Sequence, residues 1–335
     1  MGLIDWLFSS SDKNTGDPQI QAGIERLIQI VDPRLKALSD APAQLAPAVA
    51  TALDFCRSTV AALPGPLDAS AGNWRTTPLL RALFTRADEV QQIFSRQAVV
   101  QEFVEQHPEV QTFYAILGAV LQEKKGFGVA LTGDALQHDV AVTTLNFTHH
   151  QLHLPCSTPE ALDQELVWAL FDQLGREILT RLSAIKEGQA DLQEEIALLR
   201  TQQAHLEHQG IGDIFCDESG APVDTSEALA AQIKSHQAPL GESRQRLPTL
   251  DDTLTWIATT LQTPQQLVEV KSLDYRVNSL NQRVPPDQPG EDLHFSHFSF
   301  TAPHPRRGVI LRVSYPTAEL LPKSTLTQEI ERLYS

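Results

Sequence analysis

Histidine is the residue type whose placement in this chain invites chemistry. His149, His150 and His153 close one β-rich stretch, shortly after His138 and Asp139. His294 and His297 lie in a second such stretch, and His304 falls in a proline-rich turn. Imidazole nitrogens at facing positions are the ordinary ligands of a zinc-type site. On one strand, His149 and His153 share a face but stand about 13 Å apart at ~3.3 Å per residue, too far for one ion without a bend. A site therefore requires the two stretches to lie side by side, so that His150 or His153 meets His294 or His297. The plainer reading leaves all of them as partly exposed strand histidines, with no cofactor expected.

Other candidate chemistry is thinner. Arg306-Arg307 sits in a hairpin turn, where it is either an anion grip or simply a charged turn. Glu194-Glu195 and Asp251-Asp252 read as helix-surface and helix-start carboxylates, because an acidic first turn favours a helix N-terminus. Gly126, Gly128 and Gly133 fall short of a dinucleotide loop: the third glycine is two places late and the run follows a predicted helix. The chain has no GxxxxGK[ST], GxSxG or HExxH run.

The elements that must position these residues follow from periodicity. Ile20, Ile24, Leu27, Ile28 and Val31 recur at helical spacing after Pro18, and Asp32-Pro33 ends that helix. Further helices are predicted over 45–63, 77–84, 88–95 and 98–106, and a longer one from Pro108 to Lys124-Lys125-Gly126, where two cations and a glycine resemble a helix C-terminus. The apolar run at 112–121 reads as the buried part of that helix. Strands are predicted at 127–132 and 140–154, then at 267–284, 293–301 and 308–315, the last three as an antiparallel meander. A terminal helix is predicted over 326–333.

The strongest periodicity lies between the two β blocks. Ile178, Leu182, Ile185, Gln189, Leu192, Ile196, Leu199, Gln203 and Leu206 alternate steps of four and three, a heptad seam. After a Gly-, Asp- and Pro-rich stretch at 210–224, Leu229, Ile233, His236 and Leu240 continue the pattern. An antiparallel hairpin over about 178–247 uses this seam most economically; an intermolecular coiled coil would use it equally well. Residues 158–262 carry 18 acidic against 7 basic side chains, a net of −11 out of −16 for the whole chain. So acidic a chain is a poor partner for phosphate backbones, which excludes nucleic acid. The excess is either a solvated helical face or a surface for a basic partner.

Three scattered cysteines without a CxxC argue against a disulfide framework. No stretch approaches the ~20 apolar residues of a membrane span, and a cytoplasmic location is expected. In residues 1–8, Leu3, Ile4, Leu7 and Phe8 share a helical face with Trp6 at its edge, followed by a polar tether to residue 17. That segment would dock on the protein itself, on a membrane or on a partner.

Asp32-Pro33-Arg34-Leu35, Leu63-Pro64-Gly65-Pro66, Gly133-Asp134 leading into 139–144, and the run from Tyr315 to Pro322 together resemble a family of uncharacterised bacterial proteins. The resemblance implies a bacterial cytoplasmic origin and adds no mechanism.

The fold expected is α+β and mainly α: a tether (1–17), a helical domain (18–126), a first β block (127–157), long helices with a projecting hairpin (158–262) and a C-terminal β block with its helix (263–335). The leading functional expectation is a non-enzymatic scaffold or adaptor whose protein or self contacts use the seam residues Ile185, Leu192, Ile196, Leu199, Leu206, Leu229 and Ile233. The first alternative is a ligand- or metal-binding protein or enzyme with a site at the β-module, drawing on His150, His153, His294, His297 or Arg306-Arg307. The third is a peripheral membrane protein held by Leu3, Trp6, Leu7 and Phe8.

Overall fold

The computed structural model describes residues 17–132, 135–209, 230–231, 233–235, 249–300 and 306–322. The expected features at residues 1–16, the turn at 133–134 and the helix at 326–333 lie outside them. The chain divides into two compact units, Met1–Leu53 with Asp172–Leu267 and Asp54–Phe171 with Val268–Ser335. Helices α2 (Ala41–Ala62) and α6 (Pro159–Gln209) contribute to both.

In the first unit α1 (Pro18–Val31) buries Ile20, Ile24, Leu27, Ile28 and Val31, the stripe its spacing predicts. Asp17 caps it by accepting from Gln19 N, and Pro18 occupies the first turn, where its missing N–H costs nothing. Asp32 ends it and starts a short 3-10 turn over Pro33–Ala37, accepting from the Arg34 amide and guanidinium. In α6, Leu174, Ile178 and Leu182 are buried. Gly175 permits close approach to α1, since a Cβ there would stand 3.3 Å from Ile30 Cγ2. Helix α7 (Leu250–Leu261) opens with a capping box in which Thr249 and Asp252 satisfy each other's backbone N–H.

The second unit is built on one six-stranded sheet. Its strands are β1 (Leu67–Asp68), β2 (Thr112–Thr132), β3 (Ala135–Cys156), β4 (Val268–Val277), β5 (Glu291–Phe300) and β6 (Arg306–Pro316). Their order is β3-β2-β6-β5-β4, antiparallel throughout, with β1 pairing β6 in parallel. The two β blocks thus share one sheet, joined where β2 pairs β6 from Thr112↔Pro316 to Ala119↔Val309. The three C-terminal strands form the expected meander.

The predicted helix over 108–126 is a strand instead. Phe113, Ala115, Leu117 and Ala119 are buried on one face of β2, and Ile116 is buried on the other. A central strand covered on both sides loses the period-two alternation that marks a half-exposed one. Its apolar run then reads equally well as helix.

The sheet is also larger than the small module expected, and it curls. Register shifts between Tyr114/Ile116, Gly118/Val120 and Gly128/Ala130 bend the β2–β3 pair. The chain leaving β4 then reaches β3: Leu145 N donates to Asn281 O and Arg283 N to Thr143 O, each at 2.9 Å. Inside the curl, Leu117, Leu145, Phe147, Leu293, Phe295, Leu311 and Val313 form one core. Short helices α3 (Pro78–Leu83), α4 (Ala87–Arg96) and α5 (Ala98–Gln106) complete it with Leu80, Leu83, Phe84, Val90, Phe94 and Val100. Beyond Ala119 the β2–β3 pair continues as a ribbon on which Phe127 is 81% exposed.

Candidate functional site

A cavity of about 760 Å³ opens between α3 with the turn before it and the β4–β5 connection. Trp74, Pro78, Arg81, Ala82 and Thr85 line one side, and residues 277–281 and 289–291 line the other. Its volume lies within the range of small-molecule sites.

The walls are held by bonds within the protein. The Trp74 indole N–H donates to Phe84 O at 3.1 Å, which fixes the ring. Asn278 Oδ1 accepts from Leu280 N and Gln282 N, both at 3.0 Å, closing a side-chain-capped turn. Asn281 sits in the left-handed region, φ 56°, where asparagine is tolerated better than most residues. Its amide donates to Ala82 O at 3.2 Å, tying the turn to α3. Gly290 has no room for a side chain: a Cβ would lie 2.8 Å from Val284 Cγ2 and 2.9 Å from Val277 O.

Among the described residues Arg81 and Glu291 are the only charged ones of the lining, and they pair with each other. The Arg81 guanidinium also donates to Arg75 O. Among the described residues the lining holds no histidine or cysteine, and Thr85 N donates to Glu89 Oε2 at 2.8 Å.

The histidines named from the sequence are not gathered into one place. His150 and His153 are on β3, His294 and His297 on β5, and β2 and β6 separate those strands. Strands β3 and β5 do meet inside the curl, where Phe147 contacts Phe295, but His294 is exposed and pairs with Asp274. The His150 ring packs against Phe84, centroids 4.6 Å apart and planes tilted by 30°, and burial pulls its pKa below the usual value. His153 is exposed opposite Ile116. His297 is half-buried, its pKa lowered by burial and then by Arg307 and Lys271. Among the described residues no group of three or more His, Cys, Asp or Glu side chains is placed to hold a metal ion.

One cluster on the outer face imitates a nucleophile–base–acid relay. His294 Nδ1 lies 2.6 Å from Asp274 Oδ1, and Ser272 Oγ lies 3.4 Å from His294 Nε2. The order matches a hydrolase triad, but the setting does not. The side chains of His294 and Asp274 are 57% and 79% exposed, so water screens the pair. Asp274 and His294 are direct cross-strand partners. A polar pair that helps hold the edge strand β4 accounts for them.

Of the seam residues, Ile196 and Ile233 are buried and cluster with half-buried Leu199, while Ile185 is half-buried. Residue 229 and the side chains of residues 192 and 206 lie outside the described structure, as do Leu3, Trp6, Leu7 and Phe8. Arg307 is exposed at the start of β6. Cys56 and Cys156 are free and buried, and burial pushes the Cys56 thiol up to about 12. No described helix is long and apolar enough to cross a membrane.

Reasoning from sequence missed the cavity. The runs 278–281 and 285–290 do signal turns, but nothing in them names α3 as their neighbour. Compared with protein-family models, curated proteins and solved structures, the chain matches none.

Proposed function

We propose that this chain is a binding protein for a small ligand, with its site in the cavity between α3 and the β4–β5 connection. The carrying observation is pre-organisation: Trp74, Arg81, Asn278 and Asn281 are each held by bonds to the protein itself. A wall already ordered loses little conformational entropy when a ligand arrives. The test is a thermal-shift screen of a chemically diverse small-molecule library against the full chain and Ser279→Trp. Ser279 is an exposed turn residue at the lining, so the indole fills the cavity without disturbing the core. Compounds that stabilise the wild type and leave the variant unmoved support the reading; identical responses from both proteins contradict it.

A second reading keeps the scaffold or adaptor role of the acidic helical region. It is favoured by the packing of Ile196 on Ile233, which brings helical residues after 229 back against α6 as an intramolecular hairpin requires. Here α6, about 76 Å long at 1.5 Å per residue, supplies the contact surface for a basic protein partner. Replacing 186–247 with a short Gly/Ser loop would abolish that contact. The bacterial family and cytoplasmic location implied by the turn and strand phrases belong to this same set of proposals.

A further inference from the structure

We infer that the ligand is a neutral, hydroxyl-rich ring compound, a short saccharide, stacked on Trp74; this rests on the ligand-binding reading above. Charge decides first. Arg81 and Glu291 cancel, and the Arg81 fork is committed to Glu291 and to Arg75 O. A phosphate or carboxylate entering the cavity would find no spare cation among the described lining residues and would face the Glu291 carboxylate. A cation would compete with Arg81 for that same carboxylate. Leaving an ion desolvated and unpaired is the costliest outcome of binding, so a net-neutral ligand is favoured.

Shape and polarity narrow the choice further. Trp74 lines the cavity with its N–H already spent on Phe84 O, so the ring has only aromatic carbon to offer a ligand. Leu280, 68% exposed, adds apolar surface from the opposite side. Ser279 and Thr85 bring hydroxyl-bearing side chains to the lining, and a wholly apolar ligand offers them no hydrogen-bond partner. A pyranose meets both demands: its C–H face stacks on an indole, and its rim hydroxyls both donate and accept. A proline-rich peptide is the nearest rival. Grooves for such peptides are lined by aromatic side chains in the plural, and Trp74 is the one aromatic residue among the described residues of this lining.

The experiment uses the full chain labelled with 5-fluorotryptophan, with the Trp74 fluorine resonance assigned by its loss in Trp74→Phe. Neutral gluco-, galacto- and chito-oligosaccharides are titrated beside phosphorylated sugars and prolyl peptides. The expected result is a saturable shift of the Trp74 resonance by at least one neutral oligosaccharide, with Kd raised about tenfold or more in Trp74→Ala. Because Trp74→Ala also removes packing, Ser279→Trp serves as the second variant and should abolish binding with the fold intact. If only a phosphorylated sugar or a peptide shifts Trp74, and Ser279→Trp blocks it, the saccharide assignment is overturned while the binding reading stands. If no compound moves the resonance, both are overturned.

Discussion

Tyr275 on β4 donates its hydroxyl to Glu123 Oε1 on β2 at 2.7 Å, although β5 and β6 lie between those strands in the sheet. The bond exists because the sheet curls until its β4 side faces β2. Arg283 lies over the Tyr275 ring at 4.9 Å and 3.7 Å from Glu123, and Tyr275 stacks on Phe295. The same curl carries the β4–β5 connection to α3, where the cavity forms.

That contact has an alkaline signature. Burial, then the Glu123 hydrogen bond and charge, push the Tyr275 phenol up to about 12 from an ordinary value near 10. The folded state therefore resists ionisation: its stability is intact below pH 10 and falls as pH rises from 10 towards 12. Tyr275→Phe should lose about 1 kcal/mol at pH 7 with the hydrogen bond and show a flatter alkaline limb. Urea titrations at pH 7 and pH 10.5 measure both, and an unchanged alkaline limb would remove Tyr275 from this role.

The acid limb should report His150. Its pKa is lowered by burial, a trend opposed by Glu89 and a Leu83 backbone hydrogen bond and reinforced by His149. A histidine kept neutral contributes full stability above its unfolded value near 6.5, and the protein weakens as pH falls from there through the lower folded value. His150→Phe, which can keep the packing against Phe84, should lose less melting temperature between pH 7.5 and pH 5 than the wild type. Calorimetry at the two pH values decides it.

Arg312 lies in the second unit with its side chain only 10% exposed. It donates to Asp163 Oδ1 at 2.7 Å and to the carbonyls of Leu63 and Pro64 just past α2. Arg312→Met leaves those carbonyls unbonded and should cost about 3 kcal/mol in chemical denaturation. Arg312→Lys should recover only part of that, since one ammonium cannot reproduce the planar fork. Full recovery by lysine would show that charge alone matters at this position.

The proposed hairpin makes its own prediction. Ile196→Ala and Ile233→Ala, alone and together, should show a coupling energy of about 0.5–3 kcal/mol, as for side chains in direct contact. Additive losses, or stability that rises with protein concentration, would point to a seam formed between chains.

How much of this could be read from the residues varies with the kind of signal. Helix α1 was legible because Ile20, Ile24, Leu27 and Ile28 bury one face against an exposed other. The start of α7 was legible from Asp251-Asp252 because capping chemistry is local. Strand β2 was not, because burial on both faces erases its alternation. The cavity was invisible for a different reason. Its bonds join residues about two hundred positions apart, Arg81 to Glu291 and Asn281 to Ala82, and none of those residues belongs to a chemical motif. The histidines drew attention by type, yet His150 packs on Phe84 and His294 pairs with Asp274, partners that composition does not reveal.

The most direct test of the central claim is amide hydrogen–deuterium exchange on the full chain, with and without a compound returned by the thermal-shift screen. The account predicts slower exchange confined to residues 74–85 and 277–291, and no such change in Ser279→Trp. Protection centred on α6, or protection that persists in Ser279→Trp, would contradict it.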